Sequence, residues 1–171
     1  MFEHVPLDDA ETQIRLLRLG PGTGSDPIEL SVATFQLQNA PEYFAISYAW
    51  GVEDIPMHVI LDGSKFSVRL NCWYALSQVR YHYPGCSLWI DSICINQSDL
   101  EEKSHQVAMM YDIFAAAAKV FACVGPHADG SEILDRTCDG SNHASSVATD
   151  DAWSAFSRRP YWSRLWVVQE I

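Results

Sequence analysis

The chain is poor in positive charge, and that shortage narrows its functions first. Its 171 residues carry 11 Lys and Arg against 22 Asp and Glu, a formal net charge of -11. Binding to nucleic acid or to an anionic membrane needs clustered cations, so neither is expected; a small anionic ligand, which needs only one or two local cations, stays open. No basic leader opens the chain and no uninterrupted apolar run reaches membrane-spanning length, which points to a soluble, cytoplasmic protein. The five cysteines (Cys72, Cys86, Cys94, Cys123, Cys138) are odd in number and never at C-x-x-C spacing. A disulfide or zinc framework wants paired spacings, so reduced thiols are expected, with Cys94 and Cys123 filling core volume in apolar runs. The six histidines are scattered, none at H-x-x-x-H or beside a cysteine, which argues against a metal site. The glycine-rich stretch 20–27 has no Gly-Lys-Ser/Thr after it, so it is a turn and not a phosphate loop. Ser47 lacks a G-x-S-x-G elbow, which excludes the usual hydrolase nucleophile.

What is present is an alternation of strands and helices. Residues 14–19 and 28–35 read as two pairing strands after a ragged start over 1–12. Residues 43–48 form a compact buried strand. Residues 58–68 read as a hairpin, because Asp62-Gly63 suits a type I′ turn between apolar arms. Asn71 is positioned to cap a helix that runs to about Tyr83, stopped by Pro84-Gly85. Leu88 to Ile90 is the next strand. Ser98-Asp-Leu-Glu101 has the form of a capping box, opening a helix to about Ala118 with Val107, Met110 and Phe114 on its buried stripe. Val120 to Val124 is expected as an interior strand. Residues 126–152 are acidic, serine-rich and low in large apolar groups, and read as a mobile insertion or loop. A last helix starts at Pro160. The order predicts an α/β fold: a mainly parallel, flavodoxin-like sheet with helices on both faces and an added antiparallel hairpin. One domain over 1–171 is expected. It ends at Ile171 in mid-helix without a cap, as an N-terminal fragment of a longer protein would.

Three segments concentrate groups that are costly to bury unless used. They are Phe44-Ala-Ile-Ser-Tyr-Ala-Trp-Gly51, Ser87-Leu-Trp-Ile-Asp-Ser-Ile-Cys-Ile-Asn-Gln97 and Arg159-Pro-Tyr-Trp-Ser-Arg-Leu-Trp-Val-Val-Gln-Glu170. Asp91 follows a strand, where open α/β sheets place ligands, or else caps a turn. Asn96 and Gln97 either bind a polar ligand edge or hold loop backbone. Ser47 and Tyr48 end a strand and offer hydroxyls, and Gly51 supplies backbone freedom for a tight exit. Trp162, Trp166 and Glu170 stand at i, i+4 and i+8, one face of a helix, either packing on the sheet or lining a pocket. Arg158, Arg159 and Arg164 form a cationic patch that suits pairing or phosphate.

These segments resemble the fungal heterokaryon-incompatibility (HET) domain, over roughly residues 14–171. The resemblance rests on Ala45-Ile-Ser-Tyr-Ala-Trp-Gly51, on Trp89-Ile-Asp…Cys-Ile-Asn-Gln97 and on Trp162…Trp-Val-Val-Gln-Glu170. Glu102-Lys103 stands where the family often has Glu-Arg. The HET family is itself similar to Toll/interleukin-1 receptor (TIR) domains, with Ile46-Ser47-Tyr48 on the first core strand and Trp166-x-x-x-Glu170 on the last helix. That likeness implies a cell-death effector that cleaves the nicotinamide–ribose bond of NAD⁺ as substrate, with no cofactor. Glu170 would be the key carboxylate and Asp91 the second catalytic candidate. Ser47, Tyr48, Trp50, Gly51, Asn96, Gln97, Arg164 and Trp166 would bind substrate. Self-association and an attached sensor or oligomerising region are the implied partners. A non-enzymatic, TIR-like assembly module is the competing reading.

Overall fold

The first strand, β1 (Gln13–Leu19), carries Ile14, Leu16, Leu17 and Leu19 into the interior, and it runs antiparallel to β2 (Glu29–Gln36) from Gln13↔Gln36 to Leu19↔Leu30. A computed structural model describes residues 2–24, 26–51, 56–126, 128–138 and 146–164. The turn between β1 and β2 is held by buried Arg80, whose guanidinium donates to the carbonyls of Thr23, Asp26 and Pro27. β3 (Phe44–Tyr48) follows, then β4 (Pro56–Leu61) and β5 (Ser64–Arg69) as a hairpin. Asp62 and Gly63 both have positive φ, 46° and 74°, as a type I′ turn requires. The chain continues through α1 (Leu70–His82), β6 (Ser87–Trp89), the single turn α2 (Asp91–Cys94), α3 (Leu100–Ala108), α4 (Met110–Ala116) and β7 (Lys119–Cys123). It closes with α5 (Ser131–Cys138), α6 (Ser146–Ser157) and a 3-10 turn over Pro160–Ser163.

The described strands form one sheet in the order β5-β4-β2-β1-β6-β3-β7. Three neighbour pairs are parallel (β2/β4, β3/β6, β3/β7) and three antiparallel (β1/β2, β1/β6, β4/β5). The sheet is therefore mixed and not mainly parallel as expected: consecutive parallel strands occur only in β6-β3-β7, and β2/β4 is an isolated parallel pair. The cause is connection length: β1–β2 and β4–β5 are joined by turns, which force antiparallel neighbours, whereas helices carry the chain from β5 to β6 and from β6 to β7. Helices do cover both faces. Phe44 stacks edge-on against Tyr83 at the end of α1, 5.4 Å between centroids. Its neighbour Ala45 lies beside Trp89, whose ring meets Phe114 of α4 at 5.4 Å. Successive residues of a strand point to opposite faces, so α1 and α4 lie on opposite sides of the sheet.

Several local expectations shift. The α3 cap is Asp99, whose carboxylate accepts from Glu101 N (3.0 Å) and Glu102 N (3.1 Å) in place of the Ser98–Glu101 box; a carboxylate is the stronger acceptor. Helix 98–118 is interrupted at Met109. Before the break, Gln106 of α3 is pinned by its amide to Ala10 O and Gln13 O; after it, α4 buries Met110, Ile113 and Phe114. Asn71 does not cap α1, which starts at Leu70; its amide donates to Ala49 O at 2.8 Å. β7 is the outer strand on its side among the described residues, paired only with β3, not an interior one. Residues 126–152 hold α5 and most of α6, which pack through small or isolated apolar residues such as Leu134 and Ala152, a pattern that composition hides. After Pro160 the chain makes a 3-10 turn and then extends at Arg164 (φ -70°, ψ 136°), so the expected helix is not continuous there. Among the described residues no helix is long and apolar enough to cross a membrane.

Candidate functional site

The carboxyl ends of β3 and β6 lie side by side, and the nominated residues sit there. Ile90 is still extended; Asp91 then opens the one-turn α2. Its Oδ2 accepts from the Trp50 indole Nε1 at 2.9 Å and its Oδ1 from Ser92 N at 2.7 Å. Gln97 reaches back and donates its Nε2 to Asp91 O at 2.9 Å, leaving Oε1 buried with no hydrogen-bond partner among the described residues. Asn96 serves the loop: its Oδ1 accepts from Ser98 N, and its N–H donates to Glu102 Oε1 at 2.7 Å. Glu102 in turn takes both terminal nitrogens of buried Arg15, at 2.6 and 2.8 Å, while Arg15 also donates to Cys94 O and Val5 O. A buried ion pair of this kind fixes the loop that carries Asp91, Asn96 and Gln97. Burial would raise the Glu102 carboxyl; hydrogen bonds from Arg15 and Asn96 and the guanidinium charge outweigh it and hold the carboxyl below its ordinary range.

The end of β3 is equally committed. Ser47 is 1% exposed, its Oγ 2.8 Å from Tyr161 Oη and accepting from Arg164 Nη1 at 3.0 Å. The Arg164 guanidinium also lies over the Tyr161 ring, 5.7 Å from its centroid. Tyr48 donates its hydroxyl to Ser92 Oγ at 2.7 Å, and burial, with Cys72 and Asp91 nearby, pushes that phenol well above its usual range. It is a fixed donor and not a base. Trp50 carries the Arg69 guanidinium 5.1 Å from its ring centroid. Gly51 has φ +71°, and a Cβ there would stand 2.7 Å from Asn71 Nδ2, so the tight exit from β3 needs glycine.

Four nominated residues line one cavity of about 450 Å³: Trp50, Asp91, Gln97 and Arg164. Its floor is Ile95, Val107 and Met110, and Lys103 adds a second cation. Trp50 and Gln97 also line a smaller adjoining hollow of about 160 Å³ with Tyr48. Ser47 is hydrogen-bonded to Arg164 and, like Gly51 and Asn96, is not among the residues that line the cavity. Glu170 and Trp166 lie outside the described residues. Lys103 was missed as a site residue; its spacing to Val107 and Met110, i, i+4 and i+7, places it on the stripe that faces the sheet, and that was the available signal.

The sequence model described as Heterokaryon incompatibility protein (HET) matches residues 43–170. The chain belongs to the HET family. Every residue lining the Trp50–Asp91 cavity of this HET domain falls inside the matched span, whereas β1, β2 and Arg15 precede it. The domain is similar to heterokaryon incompatibility protein 6, OR allele, of Neurospora crassa, at 33% identity over 225 aligned residues that take in 99% of this chain and 33% of that protein. It thus spans about a third of the length of the curated relative it matches. No solved structure matches the HET domain. Three thiols among the described residues are poor nucleophiles: burial pushes Cys72 and Cys94 up to about 12 and Cys123 to about 11. Among the described residues no group of three His, Cys, Asp or Glu could hold a metal ion.

Proposed function

We propose that this HET domain is a cytoplasmic cell-death effector of heterokaryon incompatibility, and that it acts by cleaving the nicotinamide–ribose bond of NAD⁺ at the Trp50–Asp91 cavity. The observation that carries the reading is the convergence of Trp50, Asp91, Gln97 and Arg164 on one hollow from segments far apart in sequence. The similarity to heterokaryon incompatibility protein 6 of Neurospora crassa supports the biological setting. The chemistry suits the groups present. As the glycosidic bond breaks, its electron pair leaves with the nicotinamide nitrogen, which becomes neutral, and C1′ gains oxocarbenium character. A carboxylate beside C1′ stabilises that charge. Asp91 is the carboxylate in the cavity, Trp50 offers a flat ring, and Lys103 and Arg164 offer cations for the pyrophosphate. Water then adds to C1′ and loses a proton. Glu170 is the second carboxylate in this proposal, by the likeness to TIR domains, and an oligomerising region elsewhere in the full protein is the proposed means of activation.

A second reading has its own support. Both Asp91 oxygens already accept hydrogen bonds, from Trp50 and Ser92, which is how a purely architectural carboxylate behaves. On that reading the domain assembles and recruits. The deciding measurement is nicotinamide release from NAD⁺ by oligomerised protein, followed by chromatography. Loss of release in Glu170→Gln and Asp91→Asn, each by about 10²-fold or more, is the expected result. Equal release by wild type and both variants removes these residues from the mechanism. No release from any, with cell killing intact, leaves the assembly reading.

A further inference from the structure

The parallel part of the sheet contains a second place where a ligand belongs. The strand order there is β6-β3-β7. After β3 the chain runs through the β4–β5 hairpin and α1 on one face to reach β6, and it reaches β7 through α4 on the other, so the connections diverge between β3 and β7. Open α/β sheets bind ligands in the crevice outside the carboxyl ends of such a strand pair. Two adjoining cavities occupy this crevice, one of about 210 Å³ running from Ala49 to Gly125 and one of about 410 Å³ between α1 and α6. Both are lined by Tyr74, Cys123, Gly125 and Arg159. They share no lining residue with the Trp50–Asp91 cavity, and the Ser47–Tyr161–Arg164 contacts stand between the two regions.

The lining has a definite chemistry. Tyr74 of α1 and Trp153 and Phe156 of α6 give it aromatic walls, with the last two rings 5.8 Å apart. Trp153 is 49% exposed, a large apolar group left without cover. No carboxylate lines either cavity among the described residues, although the chain carries 22 Asp and Glu. The charged group that does line them is Arg159. Its Nη2 donates to Ala128 O (3.0 Å) and Ser131 Oγ (2.9 Å), and one Nη1 hydrogen reaches Val124 O (3.5 Å). Nε–H and the other Nη1 hydrogen have no partner among the described residues, and the guanidinium is held over Phe156 at 5.2 Å. A fixed cation beside flat aromatic walls, in a crevice free of carboxylates, fits a planar base that carries a phosphate. We propose that this crevice binds a purine mononucleotide, the base against Tyr74, Trp153 and Phe156 and the phosphate at Arg159.

The proposal goes beyond the cleavage reading and does not depend on it, because a mononucleotide without nicotinamide is no substrate for that reaction. The test is titration of the folded chain with AMP, adenosine and ribose 5-phosphate, followed by calorimetry and by amide chemical shifts. AMP is expected to bind, to shift the amides of Cys123 to Gly125 and of α6, and to exceed either fragment in affinity. Trp153→Ala, at an exposed position that leaves the core intact, should weaken AMP by about tenfold or more, the effect of one lost base–aromatic stack. Arg159→Gln should weaken AMP but leave adenosine unchanged, with circular dichroism reporting that the fold is kept. Absence of AMP binding at millimolar concentration, shifts confined to the surroundings of Trp50 and Asp91, or AMP affinity within twofold of wild type in Trp153→Ala would each overturn the assignment. Equal affinity for ribose 5-phosphate and AMP would also overturn it, by showing that the base is not read.

Discussion

Glu102→Gln is the substitution with the most predictable cost. Glu102 and Arg15 are 5% and 2% exposed and meet through two hydrogen bonds of 2.6 and 2.8 Å. The same carboxylate takes the Asn96 N–H at 2.7 Å, so one oxygen accepts twice. Glutamine keeps the shape but removes the charge and turns one acceptor into a donor. Either Arg15 or the Asn96 N–H then faces an amide NH₂, and a guanidinium is left buried without a counter-charge. Breaking a buried pair from one side costs about 3–5 kcal/mol. For a chain of this size each kcal/mol moves the melting midpoint by about 2–4 °C, so a fall of about 6–20 °C is expected. Urea and thermal unfolding followed by tryptophan fluorescence will read it, since Trp89 is fully buried. The double variant Arg15→Met/Glu102→Leu removes both charges and should recover much of the loss. A midpoint for Glu102→Gln within about 1 °C of wild type would refute the argument, as would a double variant less stable than the single one by the full cost of both.

The pH dependence follows from the same carboxyl. Its folded value lies below the ordinary one, so its stabilisation is present above the ordinary carboxylate range and is lost as pH falls through the folded value; wild type should lose more stability on acidification than the uncharged double variant, read from melts at descending pH. Gly51→Ala forces a left-handed backbone and meets Asn71 at 2.7 Å, so about 2–3 kcal/mol of destabilisation is expected, with Gly63→Ala, which meets nothing within 4 Å, losing less in the same melts. Burial raises Cys72 and Cys94 to about 12, so neither should react with a thiol reagent at pH 8 until the fold opens; reaction in the native state at the rate of a free thiol would contradict that.

The elements with strong local signals were legible. The Asp62-Gly63 turn, the apolar runs of β1 and β3 and the stripe through Met110 and Phe114 stand close to where period and turn chemistry put them. Sheet order was not, because pairing of β1 with β6 depends on contacts some seventy residues apart that leave no mark on either segment. α5 and α6 were missed because the large apolar residue buried there, Leu134, is isolated among polar and small ones, and composition registers clusters. Of the site, the carboxyl ends of β3 and β6 were readable from polar residues that follow buried runs, and four of those residues do share a cavity. What escaped was commitment: nothing in the letters says that Ser47 is occupied by Tyr161 and Arg164, or that Asn96 serves Glu102.

The strand β1 sits between β2 and β6, yet it belongs to the stretch that precedes the family match. The boundary of family likeness is therefore not a boundary of the folding unit. A chain trimmed to residues 43–170 would strip β6 of β1, one of its two neighbours, expose the backbone donors and acceptors along that side, and leave Glu102 without Arg15. The N-terminal arm acts as a sealing strip on the parallel core. Recombinant versions of the domain designed on the matched span alone would present a raw sheet edge, and insolubility in such preparations would report the missing strip and not a defect of the site.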